Sequence, residues 1–313
     1  MTSAELREML SQFPKASLAL NPTPLHPLKR MQAELDCGPL FIKRDDLNGM
    51  GIGGNKVRNL EYLLGHAIAE GENTILVSGQ TQSNLCSLCA ASCRRLGLRC
   101  VIVHNSPRPE LLEGNALLNH ILGAEEHYLG GVSEEERAAA VDQIAQTLSR
   151  EGSAPYIIYN GASSARGALG YVEAAAEIWE QISSNAESAA IRNVCIPGGN
   201  GGLAAGFIYG TALLGNPFQV ELISVEHEAE PLREIISAFL EDLEKLCGVP
   251  MPCPREDRHA ARCIPFWRLG RYNARGRGVL HPLCPNGRHL HRKGIYMQDA
   301  VWHVRPCKEG LFP

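Results

Sequence analysis

The chain has 313 residues, of which 44% are hydrophobic and 20% charged, enough to build the core of one large or two ordinary domains. This composition excludes a disordered chain, a collagen-like chain and a small disulfide scaffold. The formal net charge of −4 offers no polycationic surface, so we expect a small-molecule partner, with no nucleic acid and no membrane. The scattered cysteines, with no apolar signal segment, predict a cytoplasmic protein with reduced thiols.

Short β-rich runs alternate with helical stretches between about residues 40 and 225. Apolar runs predict strands at 40–42, 74–77, 100–103, 156–159, 194–196 and 220–225. Apolar residues that recur every three or four positions predict helices within 59–68, 85–96, 111–121 and 171–179. This alternation predicts an α/β protein built on parallel sheets.

Residues 251–313 follow a different pattern. They hold 12 of the 30 Lys and Arg residues and 4 of the 34 Asp and Glu residues, so this segment carries +8 and the preceding 250 residues carry −12. Arg, His, Pro and Cys interrupt every candidate element, which predicts an irregular, poorly ordered tail. A basic tail for an anionic partner is less favoured, because neither interleaved aromatic residues nor a helical face accompanies the charge.

Lys56 is the first candidate for chemistry. Lysine is scarce, with seven against 23 arginines, and Lys56 follows Gly53-Gly54-Asn55 at the point where a helix is predicted to begin. A helix amino terminus and partial burial both disfavour the ammonium form, so the pattern predicts a lysine of lowered pKa, suited to imine chemistry. A solvated surface lysine is the alternative.

A glycine-rich loop directly follows the strand predicted at 194–196. It consists of Gly198, Gly199, Asn200, Gly201 and Gly202. Without Cβ atoms, backbone N–H groups can converge on an anion, and the helix predicted after the loop adds partial positive charge. The loop has neither the Lys-Ser/Thr ending of a nucleotide P-loop nor the G-x-G-x-x-G register, so a nucleotide is disfavoured. A turn that only permits close packing is the alternative.

A third polar loop, Ser78–Asn84, lies between the predicted strand 74–77 and the predicted helix 85–96. Gln82, Ser83 and Asn84 at the helix entrance could bind a carboxylate or a phenolate oxygen, although an ordinary N-cap would explain one of them. All three loops follow strands, so they can line one crevice at the carboxyl ends of parallel strands. A lysine, a phosphate loop and a polar helix entrance in one crevice suggest pyridoxal phosphate.

Five segments together resemble one enzyme family. They are NPTPL (21–25), FIKRDDLNGMGIGGNKVRNLEYLLGHA (41–67), SGQTQSN (78–84), GNALLNHILGA (114–124) and GASSARGALGYVEAAAEI (161–178). The chain is similar in these segments to the D-cysteine desulfhydrase and 1-aminocyclopropane-1-carboxylate deaminase family. That family belongs to the tryptophan-synthase-β-like, fold type II pyridoxal phosphate enzymes. The resemblance extends over about residues 20–246.

The resemblance implies a role for each matching residue. Lys56 would bind the cofactor covalently as an internal aldimine, and Asn84 would contact the phenolate oxygen of the cofactor. Gln82 and Ser83 would face the substrate carboxylate, and Ser83 would be catalytic together with Lys56. The phosphate would be held by Gly198, Gly199, Asn200, Gly201 and Gly202.

The resemblance also implies two open, mostly parallel, three-layer αβα domains with the cofactor in the cleft between them. We expect a larger cofactor-binding domain from 1–55 and 161–250, a smaller α/β domain at 56–160, and an atypical tail at 251–313. The implied reaction is elimination from D-cysteine to pyruvate, ammonia and sulfide, or deamination of 1-aminocyclopropane-1-carboxylate. We favour the desulfhydrase because SSARGALG lacks the extra residues expected in the deaminases. The resemblance further implies a homodimer.

The chain departs from the family pattern in several places. Leu85 stands where the family commonly has His or another polar residue, and Gly202 stands where the phosphate loop often has Thr. Beyond residue 250 the sequence shows no terminal strand, active-site tyrosine, pyridine-nitrogen partner or T-G-G segment of the family. Gly294-Ile295 and Asp299-Ala300-Val301-Trp302 are only weakly similar to the missing segment, with Trp in place of the tyrosine. A shifted reading frame or an alternative terminal exon would explain this change. The alternative function is therefore a non-catalytic relative.

Cys86, Cys89 and Cys93 raise the question of a metal site. Their spacing places three thiols along one face of a predicted helix, where cysteine commonly packs as a small hydrophobic residue. A metal site usually draws its ligands from turns and has a fourth ligand. The histidines and cysteines beyond residue 259 show no zinc-finger spacing. We therefore predict no metal, and a thiol-rich metal or redox protein is the least favoured hypothesis.

Overall fold

The computed structural model describes residues 1–224, 227–252, 267–271 and 294–297. The helices are α1 (Ser3–Ser11), α2 (Lys29–Leu35), α3 (Lys56–Ala69), α4 (Asn84–Leu96), α5 (Gly114–Ile121), α6 (Glu134–Arg150), α7 (Ala165–Ser184), α8 (Gly202–Leu213) and α9 (Ala229–Cys247). The strands are β1 (Leu25–Pro27), β2 (Leu40–Lys43), β3 (Thr74–Gly79), β4 (Arg99–His104), β5 (Glu125–Tyr128), β6 (Pro155–Ile158), β7 (Asn193–Pro197), β8 (Gln219–Ser224), β9 (Trp267–Arg271) and β10 (Gly294–Met297). Across these residues, no helix is both long and apolar enough to cross a membrane.

The chain forms two compact units. Unit 1 comprises Met1–Glu8, Pro22–Asp45 and the described residues from Val172 onward, and unit 2 comprises Met9–Asn21 and Asp46–Tyr171. Unit 1 contains a six-stranded sheet in the order β1-β2-β10-β7-β8-β9. Only the edge pair β1–β2 is antiparallel. Helix α8 links β7 to β8, as expected for a crossover between parallel strands.

Unit 2 contains a four-stranded sheet in the order β5-β4-β3-β6, in which every pair is parallel. Helices α4, α5 and α6 connect its strands in chain order. The carboxyl ends of parallel strands meet at one edge, so Gly79, His104 and Tyr128 lie along the same edge of this sheet. The predicted α/β class with parallel sheets is confirmed.

Four described strands, β1, β5, β9 and β10, were not identified by the sequence analysis. Strand β5 has the sequence EEHY, which contains no aliphatic residue and therefore gives no strand signal. Strands β9 and β10 lie in the segment where local patterning indicated no element. Strand β10 pairs with β2 on one side and β7 on the other, so the expectation of no strand beyond residue 250 is wrong. The expectation of poor order for the rest of 253–313, and the predicted strand residue Val225, lie outside the described residues.

Unit 2 buries the three helical cysteines. Cys86, Cys89 and Cys93 of α4 lie in one apolar cluster, and Cys100 of β4 joins them there. The sulfur atoms of Cys89, Cys93 and Cys100 all lie within 4.8 Å of one another. Burial raises the pKa of the Cys86 thiol to about 12, so it is protonated at neutral pH. These residues contribute apolar contacts to the interior of unit 2.

Unit 1 contains a buried ion pair at the end of β2. Lys43 has no exposed surface, and its Nζ donates to the Thr23 carbonyl at 2.7 Å and to Gln181 Oε1 at 2.7 Å while pairing with Glu177. The Thr23 amide donates to Glu177 Oε1 at 3.0 Å, and the Thr23 hydroxyl donates to Asp45 Oδ1 at 2.8 Å. A buried charge is tolerated only when it is paired and hydrogen-bonded in this way. The pair therefore ties β2 to α7.

Removal of one partner of this pair should be strongly destabilising. We expect Lys43→Met to lower the free energy of unfolding by about 3–5 kcal/mol, because Glu177 would remain buried without its cation. Lys43→Met combined with Glu177→Met should recover part of that loss, since no buried charge is left unpaired. Urea unfolding monitored by circular dichroism measures both values.

The matched control is Lys245→Met, which breaks the exposed pair with Asp242. It should change the free energy of unfolding by no more than about 0.5 kcal/mol. If Lys43→Met were as mild as Lys245→Met, the buried pair would not hold β2 and α7 together.

Candidate functional site

The turn that leads into Lys56 can be formed only by glycine. Gly53 has a φ of +78°, and a Cβ at this position would lie 1.8 Å from the carbonyl oxygen of Asp46. Gly54 has a φ of +140°, and its carbonyl accepts a hydrogen bond from Asn48 Nδ2 at 2.8 Å. Both positions before Lys56 therefore have backbone angles that favour glycine, and at Gly53 the Asp46 carbonyl also leaves no room for a side chain.

Lys56 is the first residue of α3, as the sequence predicts. Its Nζ donates to the carbonyl oxygen of Gly161 at 3.0 Å. Gly161 and Ala162 both have positive φ values, of 69° and 55°, in the turn before α7. The amine is therefore held beside a backbone carbonyl on the turn that precedes α7.

The amino-terminal part of α7 lies directly against α3. A Cβ at Gly170 would be 2.2 Å from the carbonyl oxygen of Arg58, so the two helix backbones meet where Gly170 has no side chain. Asn59 Nδ2 donates to the Gly167 carbonyl at 3.0 Å, and the Tyr171 hydroxyl donates to the Asn55 carbonyl at 3.2 Å. The GALGY segment thus positions the residues on either side of Lys56.

The polar loop before α4 is held from the neighbouring helix α5. Ser83 is the N-cap of α4, and its Oγ accepts a long hydrogen bond of 3.4 Å from the Cys86 amide. Asn115 donates its backbone N–H to Gln82 Oε1 at 2.8 Å and its side-chain Nδ2 to Asn84 Oδ1 at 2.9 Å. One asparagine therefore orients both Gln82 and Asn84.

Asn115 is a site residue that the sequence analysis did not single out. It lies in GNALLNHILGA, a segment quoted for the family resemblance, and this was the available signal. The preceding Gly114 has a φ of +54°, and a Cβ there would lie 2.5 Å from Gln82 Oε1. Gly114 is thus required for Gln82 to approach the start of α5.

The glycine loop of unit 1 follows β7 and opens α8, as predicted. A Cβ at Gly198 would lie 2.7 Å from Leu232 Cδ2, and a Cβ at Gly201 would lie 2.6 Å from Ile235 Cγ2, so the loop packs closely on α9. A Cβ at Gly199 would have no heavy atom within 4 Å among the described residues. Loop glycines at the start of a 12-residue helix form a cradle suited to a phosphate group.

Gly198 differs from its predicted role in one respect. Its N–H donates to the Ile223 carbonyl at 2.8 Å, so this group already has a partner within unit 1. The N–H groups available to an anion therefore begin at Gly199, and they include the first residue of α8, Gly202.

Known proteins resemble this chain over most of its length. A family model described as pyridoxal-phosphate dependent enzyme matches residues 16–246. The chain is 34% identical over 241 residues to a Pyrococcus abyssi protein provisionally named 1-aminocyclopropane-1-carboxylate deaminase, a match covering 77% of this chain and 72% of that protein. It is 38% identical over 221 residues to a D-cysteine desulfhydrase of Klebsiella pneumoniae, covering 69% and 65% of the two chains.

A solved structure supports the same similarity. A crystal structure described as an ACC deaminase homologue aligns with a TM-score of 0.73 and 30% sequence identity. The alignment covers 85% of this chain and 76% of that chain.

Substitution of Gly53 should disturb the Lys56 turn specifically. We expect Gly53→Ala to weaken pyridoxal phosphate binding by about tenfold or more, because the added methyl group must displace the Asp46 carbonyl. A tenfold loss of affinity corresponds to only about 1.4 kcal/mol of binding free energy. Absorbance titration of the protein with pyridoxal phosphate measures the affinity.

Gly71→Ala is the matched control, since Gly71 also has a φ of +80° but a Cβ there would contact nothing within 4 Å. It should lower the free energy of unfolding by about 1–2 kcal/mol and leave the cofactor affinity unchanged. Equal affinities of the two variants would contradict the importance of the Asp46 contact.

Proposed function

Because the chain belongs to the pyridoxal-phosphate dependent enzymes, we propose that it is a lyase or deaminase acting on a small amino acid, with D-cysteine as the first candidate substrate. The products would be pyruvate, ammonia and sulfide. The main structural support for this proposal lies in unit 2. Hydrogen bonds from Asn115 orient Gln82 and Asn84, which lie on either side of Ser83 at the start of α4.

Lys56 is proposed to bind the cofactor and to move protons. Its Nζ lies next to the Gly161 carbonyl, which can accept a hydrogen bond from the amine and orient it. In the enzyme with cofactor and substrate bound, the Nζ amine would accept the proton from the substrate Cα. The bound cofactor supplies the electron sink that stabilises negative charge at that carbon.

Asn84 is proposed to donate to the phenolate oxygen of the cofactor. Its Oδ1 accepts from Asn115, so the amide orientation is set and Nδ2 is directed elsewhere. An amide N–H is the donor that an anionic phenolate requires. The contact between Asn115 and Asn84 is therefore a support for this role.

Gln82 and Ser83 are proposed to bind the substrate carboxylate. Gln82 Nε2 uses one of its two protons in a bond of 3.1 Å to the Glu113 carbonyl, and the amide carries a second proton for a ligand. Ser83 Oγ accepts from the Cys86 amide, so its own proton can be donated to a carboxylate. Two neutral donors at a helix amino terminus suit a carboxylate anion.

The glycine loop of unit 1 is proposed to bind the cofactor phosphate. The donors would be backbone N–H groups of Gly199, Asn200, Gly201 and Gly202, with Gly198 shaping the turn through its bond to Ile223. Gly202 offers no hydroxyl, so the contact commonly made by a threonine is absent from the proposed set.

A second candidate substrate is 1-aminocyclopropane-1-carboxylate. The Pyrococcus relative is provisionally named as a deaminase of this compound, and the aligned crystal structure is described as an ACC deaminase homologue, which favours testing it beside D-cysteine. The proposal also includes a homodimer, supported by the family resemblance, and a cytoplasmic location, supported by the seven described cysteines all being free thiols. Sedimentation and cell fractionation test these two points.

The decisive test of the activity is turnover by the full-length protein with pyridoxal phosphate. We expect sulfide release from D-cysteine, and a loss of about 1,000-fold or more in Lys56→Ala, because both covalent binding and proton transfer depend on this amine. Lys29→Ala is the control, since Lys29 is also the first residue of a helix. Ammonia from 1-aminocyclopropane-1-carboxylate without sulfide from D-cysteine would select the second substrate, and turnover of neither would favour a non-catalytic relative.

Gly114 offers a separate test of the substrate carboxylate site. We expect Gly114→Ala to raise KM about tenfold, because the methyl group would displace Gln82 and remove one hydrogen bond to the substrate. Steady-state kinetics measures this change. Gly97→Ala, which has a φ of +72° and no contact within 4 Å, should leave KM unchanged. A normal KM in Gly114→Ala would argue against substrate binding by Gln82.

A further inference from the structure

His104 lies at the carboxyl end of β4 and has no exposed surface. Its Nδ1 lies 3.1 Å from the Gly79 carbonyl oxygen at the end of β3. Its Nε2 lies 3.0 Å from Glu126 Oε2 on β5. The ring stacks on Tyr128, with 4.7 Å between ring centroids. One imidazole therefore joins the three neighbouring strand ends of unit 2.

The partners of this imidazole define how many protons the group carries. A backbone carbonyl only accepts hydrogen bonds, so Nδ1 must carry a proton to bond Gly79. In a neutral imidazole the other nitrogen, Nε2, is then an acceptor, and it would face a carboxylate oxygen that also only accepts. The 3.0 Å contact consequently requires one further proton between Nε2 and Glu126 Oε2. The pair is either imidazolium with carboxylate or imidazole with carboxylic acid.

The surroundings of Glu126 place other donors on the same oxygen. The Tyr128 hydroxyl donates to Glu126 Oε2 at 2.9 Å, and Asn119 Nδ2 approaches it at 3.5 Å. Burial, followed by the bond to Glu126, raises the pKa of Tyr128 to about 12, so this hydroxyl keeps its proton. Among the other charged or titratable side chains, Arg108 acts electrostatically on Tyr128, and Cys86 and Cys100 each interact with Glu126.

The Gly79 carbonyl is the point at which the polar loop leaves the sheet. A Cβ at Gly79 would lie 2.9 Å from Ser83 Oγ and 3.0 Å from Cys86 Sγ, so the Gly79 backbone is packed directly against the N-cap of α4. Thr81 is joined to Ser106 by a hydroxyl–hydroxyl hydrogen bond. A displacement of the Gly79 peptide would therefore be transmitted to Ser83.

We propose that His104 is a positioning residue for the substrate carboxylate: the proton it shares with Glu126 keeps Nδ1–H bonded to Gly79 and so keeps Ser83 in place. His104 touches neither substrate nor cofactor in this role. The inference rests on the proposed function of Ser83, and it assigns to the buried pair the task of holding the loop that carries this residue.

Two substitutions separate this role from a general structural one. In His104→Asn, the amide nitrogen takes about the position of Nδ1, so it can still donate to Gly79. In His104→Gln, the amide nitrogen takes about the position of Nε2, so it can contact Glu126 but not Gly79. Both variants lose the ring stacking with Tyr128, and we expect similar losses in their free energies of unfolding.

Kinetics of the holoenzyme should distinguish the two variants. We expect His104→Gln to raise KM about tenfold, with kcat changed by less than about twofold, while His104→Asn keeps KM within about twofold of the wild-type value. Similar KM values in the two variants would overturn the positioning role. Absence of turnover in the wild-type holoenzyme would instead contradict the proposed function.

Nitrogen NMR of the histidine-labelled holoenzyme decides the proton count without any turnover. We expect His104 to show a protonated Nδ1 and a proton on, or shared by, Nε2, with its signals identified by their loss in His104→Gln. The backbone amide of Gln80, which shares the peptide group with the Gly79 carbonyl, should shift in His104→Gln and not in His104→Asn. A neutral His104 with an unprotonated Nδ1, or an unshifted Gln80 amide in His104→Gln, would refute the inference.

Discussion

The contact between the backbones of α3 and α7 is the constraint on which the surroundings of Lys56 in unit 2 depend. Only the missing side chain of Gly170 allows α7 to approach the Arg58 carbonyl, where a Cβ would lie at 2.2 Å. That approach brings the turn containing Gly161 to the Lys56 amine and lets Tyr171 bond the Asn55 carbonyl. Because protein interiors are close-packed, a methyl group at this contact would move a helix rather than a side chain.

The carboxyl edge of the unit 2 sheet depends on a different kind of interaction, hydrogen bonds between polar side chains and the loop before α4. Asn115 satisfies acceptors on Gln82 and Asn84, and His104 joins Gly79 to Glu126. His104 is buried, and a polar group buried without a partner is costly, so its two contacts are strongly favoured. Gln82 and Asn84 are exposed, and their hydrogen bonds to Asn115 orient two side chains that remain open to a ligand. The loop before α4 is consequently held by hydrogen bonds at Gly79, at its N-cap Ser83 and at the side chains of Gln82 and Asn84.

Unit 1 is held together by pairing between strands that are far apart in the sequence and by one buried ion pair. Strand β10 lies between β2 and β7, which are separated by about 150 residues of the chain, and β9 pairs with β8. The pair of Lys43 and Glu177 is buried in unit 1 and connects β2 to α7. The glycine loop proposed to bind phosphate lies at the carboxyl end of β7, so its position follows from the same sheet.

Local patterning determined much of this protein: the α/β class, most of the strands, the turn containing Lys56, the glycine loop and the resemblance to pyridoxal phosphate enzymes. These features are encoded within a few neighbouring residues, by periodicity or by glycine. Strands β1, β5, β9 and β10, and the contacts of Asn115 and His104, were decided only by the tertiary structure. Asn115 lies 33 residues from Gln82, and His104 lies 25 residues from Gly79. Hydrogen-bond partners at such separations meet only when the sheet has formed, because no local conformational preference specifies them.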